Sequence, residues 1–519
     1  MAAQEPRLLT WGRSAQGQLG HGRKQQQDVG SPTAVESVTG RPVTALACGH
    51  FHSAAVIGAS VHTWGRGTLG LLGHGDEEET LRPRPVAALS GIAVRAVACG
   101  TYQTAAVTEA GELYAWGWAM LPAEGGGWQE GYTVLPERVY ASLAQLEVRS
   151  VACGEYATAA VTRDGQLLTW GKGAHGRLGH GHARDIAEPA RVAALARTFV
   201  WDAAFGKHFL IVLSATGDIY SCGSAQHGVL GHGPPRRAAP EPEDVPTPTL
   251  VRALAGKRAS GVACGDMHAA AVTAAGEVYC WGSAAYGRLG RDDGGADAYE
   301  PMAVDALSGR ACVAVACGTY STLVRTDAGH VWGWGGRGVG PQPPQRLRVG
   351  GSSCAVAAGG AHCAAALGDP IVSPVDAALA REVGFPLWTP AAPTDAAADG
   401  GGLGALSRLL EARVPPDAEP ERVAAELREL RGLLSRELHA REVVNGQLME
   451  AQRALHAALR DEALLRERRG GDEPPPQPDV PKGVALLDAP AYGALLPDEQ
   501  LELNLFGFKL SYAAVNREG

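Results

Sequence analysis

Apolar positions between residues 7 and 369 fall in short alternating runs bounded by turn residues, not in helical stripes. In VACGEYATAAVTRDGQLLTWG (151–171) a run of small apolar residues comes first. Asp164-Gly165 then signals a hairpin turn, and QLLTW reads as a second alternating strand. Two marks punctuate these runs along the chain. An aromatic-Gly pair ends one run at Trp11, Trp64, Trp116, Trp170, Trp281 and Trp334, with Cys222-Gly223 in the remaining place. These marks stand 52 to 59 residues apart. The second mark, A-C-G or a close variant, recurs at Gly49, Gly100, Gly154, Gly206, Gly265, Gly318 and Gly359. Seven of each, interleaved, make seven units.

Small residues beside the second mark suit the innermost strands of a propeller, which converge on an axis and leave room only for Ala, Cys, Ser, Thr and Gly. The glycine after Cys is expected to take a conformation that a Cβ would forbid. The Trp at the strand end should supply the area that packs one blade on the next. The last A-G-G run has no Trp-Gly strand after it, and the first Trp-Gly strand (7–12) has no A-C-G strand before it. The N-terminal strand is therefore expected to complete the last blade as a clasp, removing two free edges.

The run G-x-x-x-x-A-A-V-T-x-x-G-x-L-Y-x-W-G-x-x-x-x-G-x-L-G-H-G resembles the repeat of the RCC1 (regulator of chromosome condensation) family over roughly residues 5 to 369. L-G-H-G stands at Leu19–Gly22, Leu72–Gly75, Leu178–Gly181 and Leu230–Gly233, becomes Leu289-Gly290-Arg291 once, and is missing after Trp116 and Trp334. The resemblance implies a seven-bladed propeller, in agreement with the count. The fold class expected is all-β over 1–370, closed by the N-terminal strand and followed by an α-helical, coiled-coil tail.

Beyond residue 370 the composition changes. Residues 371–402 read as a Pro/Gly/Ala-rich linker, 403–469 as a helical region, 470–482 as a Pro-rich spacer, and 483–519 as a docking segment or an ordered tail. Within the helical region a coiled coil is expected over 417–469. Leu427, Leu434, Leu448 and Leu455 share one heptad position; Leu430, Val444 and Leu465 share the other. That helix would pair with itself or another chain, or lie as a single amphipathic helix on another surface.

Composition excludes more than it assigns. Lys+Arg 46 against Asp+Glu 55 gives a formal charge of −9, which recommends neither direct nucleic-acid binding nor an anionic membrane surface. No apolar run reaches the length of a membrane-spanning helix, and the N-terminal residues lack a signal-peptide pattern, so a cytoplasmic location is expected. The ten Cys form no C-x-x-C pair, and five precede the repeat glycine as packing residues. His21, His74, His180 and His232 recur one per unit, and His52, His268 and His362 share one strand position, so neither set should gather around a metal. No catalytic signature such as G-x-S-x-G or H-E-x-x-H is present, and neither an enzyme nor a cofactor is expected.

The resemblance implies three readings: exchange on a Ras-like small GTPase, ultraviolet-B sensing, or an interaction platform. Sensing in the family uses stacked Trp from G-W-R-H-T runs. Here that Trp position holds His50, Thr101, Glu155, Lys207, Asp266, Thr319 and Gly360. A scaffold is the favoured expectation, with a propeller face recruiting a protein and the tail joining a larger assembly, cytoskeletal or ciliary. Its candidate contact is the departure after Trp116, GWAMLPAEGGGWQEGYT, carrying Trp118, Met120, Trp128 and Tyr132. Those side chains either cap the blade or anchor a partner.

Overall fold

The computed structural model describes residues 8–368 apart from 26, 123–127, 140–145, 235–242, 292–294, 337–339 and 341. It also describes residues 379, 380, 383 and 385 and the backbone of 501–505 and 508–512. Seven four-stranded sheets follow one another as blades. In blade 1 strands a to d, from the axis outward, are Val43–Cys48, His52–Ile57, Ser60–Gly65 and Thr80–Pro85. Blades 2 to 6 repeat that order, with their a strands at Val94–Cys99, Val148–Cys153, Val200–Phe205, Ala259–Cys264 and Cys312–Cys317. Blade 7 takes a and b from Ser353–Ala358 and His362–Leu367 and its c strand from Leu8–Gly12, paired Leu8 to Ala366 through Gly12 to His362. The expected clasp is there, and the N-terminal region supplies d as well, Val29–Ala34.

The outer strands d escape the alternating pattern because they carry Pro, as in TLRPRP, IAEPAR and VPTPTL. A missing N–H costs nothing on the outward side of an edge strand. One of them, Val245–Leu250, follows the Pro-rich loop of blade 4.

Apolar clusters lie between consecutive blades. Val56 and Val61 of blade 1, for example, pack with Val94, Ala106 and Trp116 of blade 2. The repeat Trp fixes that packing by reaching back one blade. Trp64, Trp116, Trp281 and Trp334 donate their indole N–H to the carbonyls of Gln18, Leu71, Val229 and Arg288 at 2.8–3.0 Å. Cys222, in the same place in blade 4, sets its sulfur 3.8 Å from the Arg177 carbonyl. Trp11 and Trp170 follow the two loops that lack L-G-H-G, and they make no such bond among the described residues.

The glycine expectation needs correcting. None of Gly49, Gly100, Gly154, Gly206, Gly265 and Gly318 has positive φ. Their constraint is contact: a Cβ on Gly49 would stand 2.5 Å from the Gly100 carbonyl of the next blade. At that closeness His50 N–H bonds to Gly100 O and Gly360 N–H to Gly49 O, joining neighbouring blades around the axis. Left-handed backbone belongs instead to the glycine after the repeat Trp, such as Gly12 (φ +98°) and Gly117 (φ +89°). A Cβ on Gly117 would also meet the Tyr102 carbonyl at 2.6 Å.

The linker reading is also too simple. Leu379, Ala380, Val383 and Phe385 pack against the propeller core, with Ala380 and Phe385 only 1% and 5% exposed. The helical region, its seam residues and the Pro-rich spacer lie outside the described residues. Separately, Leu501–Leu505 and Phe508–Tyr512 pair as an antiparallel hairpin.

Candidate functional site

The repeat histidines are structural. In four blades a hydroxyl on strand c donates to the loop Leu carbonyl and bonds the L-G-H-G imidazole. The pairs are Thr10 with His21, Thr63 with His74, Thr169 with His180 and Ser221 with His232. Strand b histidines bond across blades: His52 to Thr104, His268 to Thr322 and His362 to Ser53, at 2.7–2.8 Å. Burial holds each of these three at a pKa of about 3, so they are neutral. Among the described residues no group of three or more His, Cys, Asp or Glu could hold a metal ion.

At the end of the blades where a turns into b, the residues after the repeat glycine ring the axis. His50, Thr101, Glu155, Lys207, Asp266 and Thr319 line a cavity of about 280 Å³, here called the near mouth. Cys48, Cys99, Cys153 and Cys264 line its throat and are half-buried, not sealed in a core. All ten Cys are free thiols, and burial pushes Cys153 up to about 12.

Beside this mouth, blade 2 departs from the repeat. Where other blades carry the L-G-H-G loop, its c and d strands run on as Leu113–Pro122 and Trp128–Arg138 and form a two-stranded ribbon. The register pairs Trp118 with Tyr132, Met120 with Glu130 and Pro122 with Trp128. Side chains alternate along a strand, so Trp118, Met120, Trp128 and Tyr132 share one face of the ribbon, together with Glu130. All four residues singled out from the sequence are therefore brought together.

Both neighbouring blades hold the ribbon. Trp118 N–H bonds the Tyr102 carbonyl at 2.7 Å, and its ring meets Tyr156 of blade 3 edge-on at 5.2 Å. Tyr156 in turn stacks on Tyr102 at 4.8 Å, and burial, ahead of Tyr102, raises its hydroxyl to about 12. Lys172 bridges Glu130 at 2.5 Å and Asp185 at 2.9 Å, and chiefly this lysine holds the Glu130 carboxyl below its usual range. On the other side Tyr132 donates to Glu77 from blade 1 at 2.8 Å. Trp118 and Met120 are half-buried, whereas Trp128 and Tyr132 are 44% and 42% exposed. Trp118 thus serves as a cap, and Trp128 projects with no aromatic partner among the described residues.

The sequence reading missed Tyr102, Tyr156, Glu77, Glu130 and Lys172. A signal for the tyrosines existed: the second residue after the repeat glycine is Phe51, Tyr102, Tyr156 and Tyr320 in four units. The charged contacts join residues of different units and leave no spacing to read.

A family model described as the RCC1-like domain matches residues 60–372, and one for the RCC1 repeat matches residues 6–56. The chain is 34% identical over 337 residues to the ultraviolet-B receptor UVR8 of Arabidopsis thaliana, covering 64% of this chain and 74% of that protein. It is 36% identical over 267 residues to the E3 ubiquitin-protein ligase HERC2 of Homo sapiens, covering 51% of this chain but 5% of that protein. Among solved structures, human WBSCR16 is similar with a TM-score of 0.60 at 21% identity, covering 70% of this chain and 100% of the other. Prp20p of Saccharomyces cerevisiae is similar with a TM-score of 0.59 at 17% identity, covering 74% and 96%. These two likenesses concern the fold alone.

Proposed function

The chain belongs to the RCC1-like family, and from that premise we propose that it is a non-enzymatic interaction scaffold whose partner docks on the near-mouth face over the blade 2 ribbon. One observation carries this reading. The ribbon is the place where a repeat loop is replaced by an aromatic and Met-bearing face, with Trp128 and Tyr132 left exposed and Trp118 seated as their support. Exposed aromatics on a firmly held two-stranded element are suited to act as anchors, because little side-chain freedom is lost on binding. The near mouth beside them supplies charged and polar side chains of both signs for a rim.

The ultraviolet-sensing reading gains no support from the ring positions, which carry no Trp. Exchange on a Ras-like GTPase remains the second function drawn from the family. Yeast Prp20p, whose fold this chain shares, binds Gsp1p and histones. For this chain the scaffold's tail would add oligomerisation or assembly, raising avidity without new contacts. Among the described residues no helix is long and apolar enough to cross a membrane.

The test is cross-linking capture from native extract with the full chain and with its Trp128→Ala/Tyr132→Ala variant. A defined protein captured by the wild type, cross-linked near residues 118–132 and lost with the variant, is the expected result. Undiminished capture by a folded variant overturns the ribbon as the site. A small GTPase held only after magnesium is chelated, with accelerated nucleotide release, would put exchange in place of the scaffold reading.

A further inference from the structure

The two ends of the axial channel differ. At the end remote from the near mouth, every a strand carries a register shift after its first residue. The residue placed in that bulge is Arg95 in blade 2, Arg149 in blade 3 and Trp201 in blade 4. A bulge re-aims a side chain out of the ladder. Here the three re-aimed groups support one another. Arg95 donates to the Val148 carbonyl at 2.9 Å and also to that of Arg149, and the Arg149 guanidinium lies 4.2 Å from the Trp201 ring centre. Trp201 then stacks on Phe385, centroids 4.0 Å apart and planes within 13°.

Phe385 comes from beyond the propeller. The last blade strand ends at Leu367, which pairs with Ser353 and so lies at this far end on blade 7. The chain is seated again on blade 4, three blades away, the largest separation a seven-blade ring offers. A helical turn at Leu379, Ala380 and Val383 closes with the Phe385 N–H returning to the Ala380 carbonyl at 2.8 Å. That six-residue return is a helix-ending bond that presents the next apolar side chain inward.

We propose that Leu379, Ala380, Val383 and Phe385 form a strap: a ligand held in cis by an aromatic socket at the far mouth, with Phe385 as its anchor and Trp201 backed by Arg149 as the wall. The strap covers Trp201 and withholds it from other proteins. Such a contact is local and few-sided, one ring on another plus a turn of helix. It therefore opens without unfolding the blades. The socket fits a short helical segment that ends in an aromatic residue, and the chain's own segment has that form.

Hydrogen exchange on the full chain tests this. Phe385→Ala should speed exchange of amides in 200–205 by about tenfold or more, leaving the ribbon at 113–138 unchanged. A synthetic peptide of residues 376–388 should slow exchange again in that variant. The same peptide bearing Phe385→Ala should not, and wild-type chain should take up neither. Phe385→Leu, similar in bulk but without a ring, should shift exchange the same way by less, which keeps the test open if the Ala variant misfolds. Unchanged exchange at 200–205 in both variants would overturn the strap, as would peptide uptake by wild type as tight as by the variant.

Discussion

Blades 1 and 2 share a fold and differ in what they do with the same positions. Blade 1 has Thr63 bonded to His74 in its loop and His52 bonded to Thr104. Blade 2 has Ala115 in place of the hydroxyl, no loop histidine, Gln103 in place of the strand histidine, and a projecting ribbon. The hydroxyl and the histidine come and go together: blade 6, with Gly333, also lacks the loop, and blade 5 pairs Cys280 with Arg291. The difference teaches that the L-G-H-G loop is a brace tied to its own strand. Where the tie is absent, the connection is free to become something else, and in blade 2 it has become the candidate site.

The largest test of that division is acid. His52, His268 and His362 are neutral because burial lowers their pKa to about 3. An unfolded chain binds these protons near pH 6.5, while the folded one refuses them until about pH 3. Their contribution is therefore fully present above pH 6.5 and is lost as pH falls toward 3. Between pH 7 and 5 each should cost about 2 kcal/mol of stability. Denaturant titration at both pH values checks this. His52→Gln should shrink the acid loss by about 2 kcal/mol, the share of one such histidine, because Gln103 already serves at that position by accepting from Thr158 and donating to the Ala157 carbonyl.

Next in size is a contrast between two tryptophans. Trp281 is fully buried and bonded to Val229, so Trp281→Ala should cost about 3–5 kcal/mol. Trp128→Ala, on the ribbon, should change stability by less than about 0.5 kcal/mol. Urea titration of the two variants measures both. A destabilised Trp128→Ala would make the ribbon part of the core and remove the ground for calling it a site.

These contrasts also mark what the sequence could tell. Blade number, clasp and the four ribbon residues were legible because each is a periodic mark or a break in one. The brace was half legible: the histidines recurred, but their Thr and Ser partners stand eleven residues away on a strand that reads as ordinary alternation. Cross-blade bonds such as His362 to Ser53 do follow the repeat, each histidine meeting the hydroxyl one position further along in the next unit, but that hydroxyl too reads as ordinary alternation. Strand d was hidden by its prolines. The strap was hidden because Phe385 stands in a Pro/Gly/Ala-rich stretch whose composition describes a linker.

The brace itself predicts a smaller loss. Thr169→Val deletes the donor to the Leu178 carbonyl and the partner of His180, keeping the side-chain volume. A buried acceptor left without its donor costs about 1–3 kcal/mol. Ala115→Thr in blade 2 should give no corresponding gain, since no loop histidine waits there. Melting of the two variants beside the wild type measures both halves.

The smallest expected effect is at the ribbon's edge. The Glu77 carboxyl is held below its ordinary range first by the Leu69 N–H and then by the Tyr132 hydroxyl. Tyr132→Phe removes only the second, so the Glu77 titration observed by NMR should move upward part of the way, with little change in stability because both groups lie in water. Leu69 belongs to the blade 1 loop turn, where it adopts φ +61°, and Gly75 of that loop bonds the Val134 carbonyl of the ribbon's outer strand. Blade 1's brace therefore sets the position of Glu77, and Tyr132 reads it. If Glu77 fails to shift in Tyr132→Phe, the ribbon is held on its blade 1 side by backbone contacts alone. The exposed Tyr132 hydroxyl would then be wholly available to a partner.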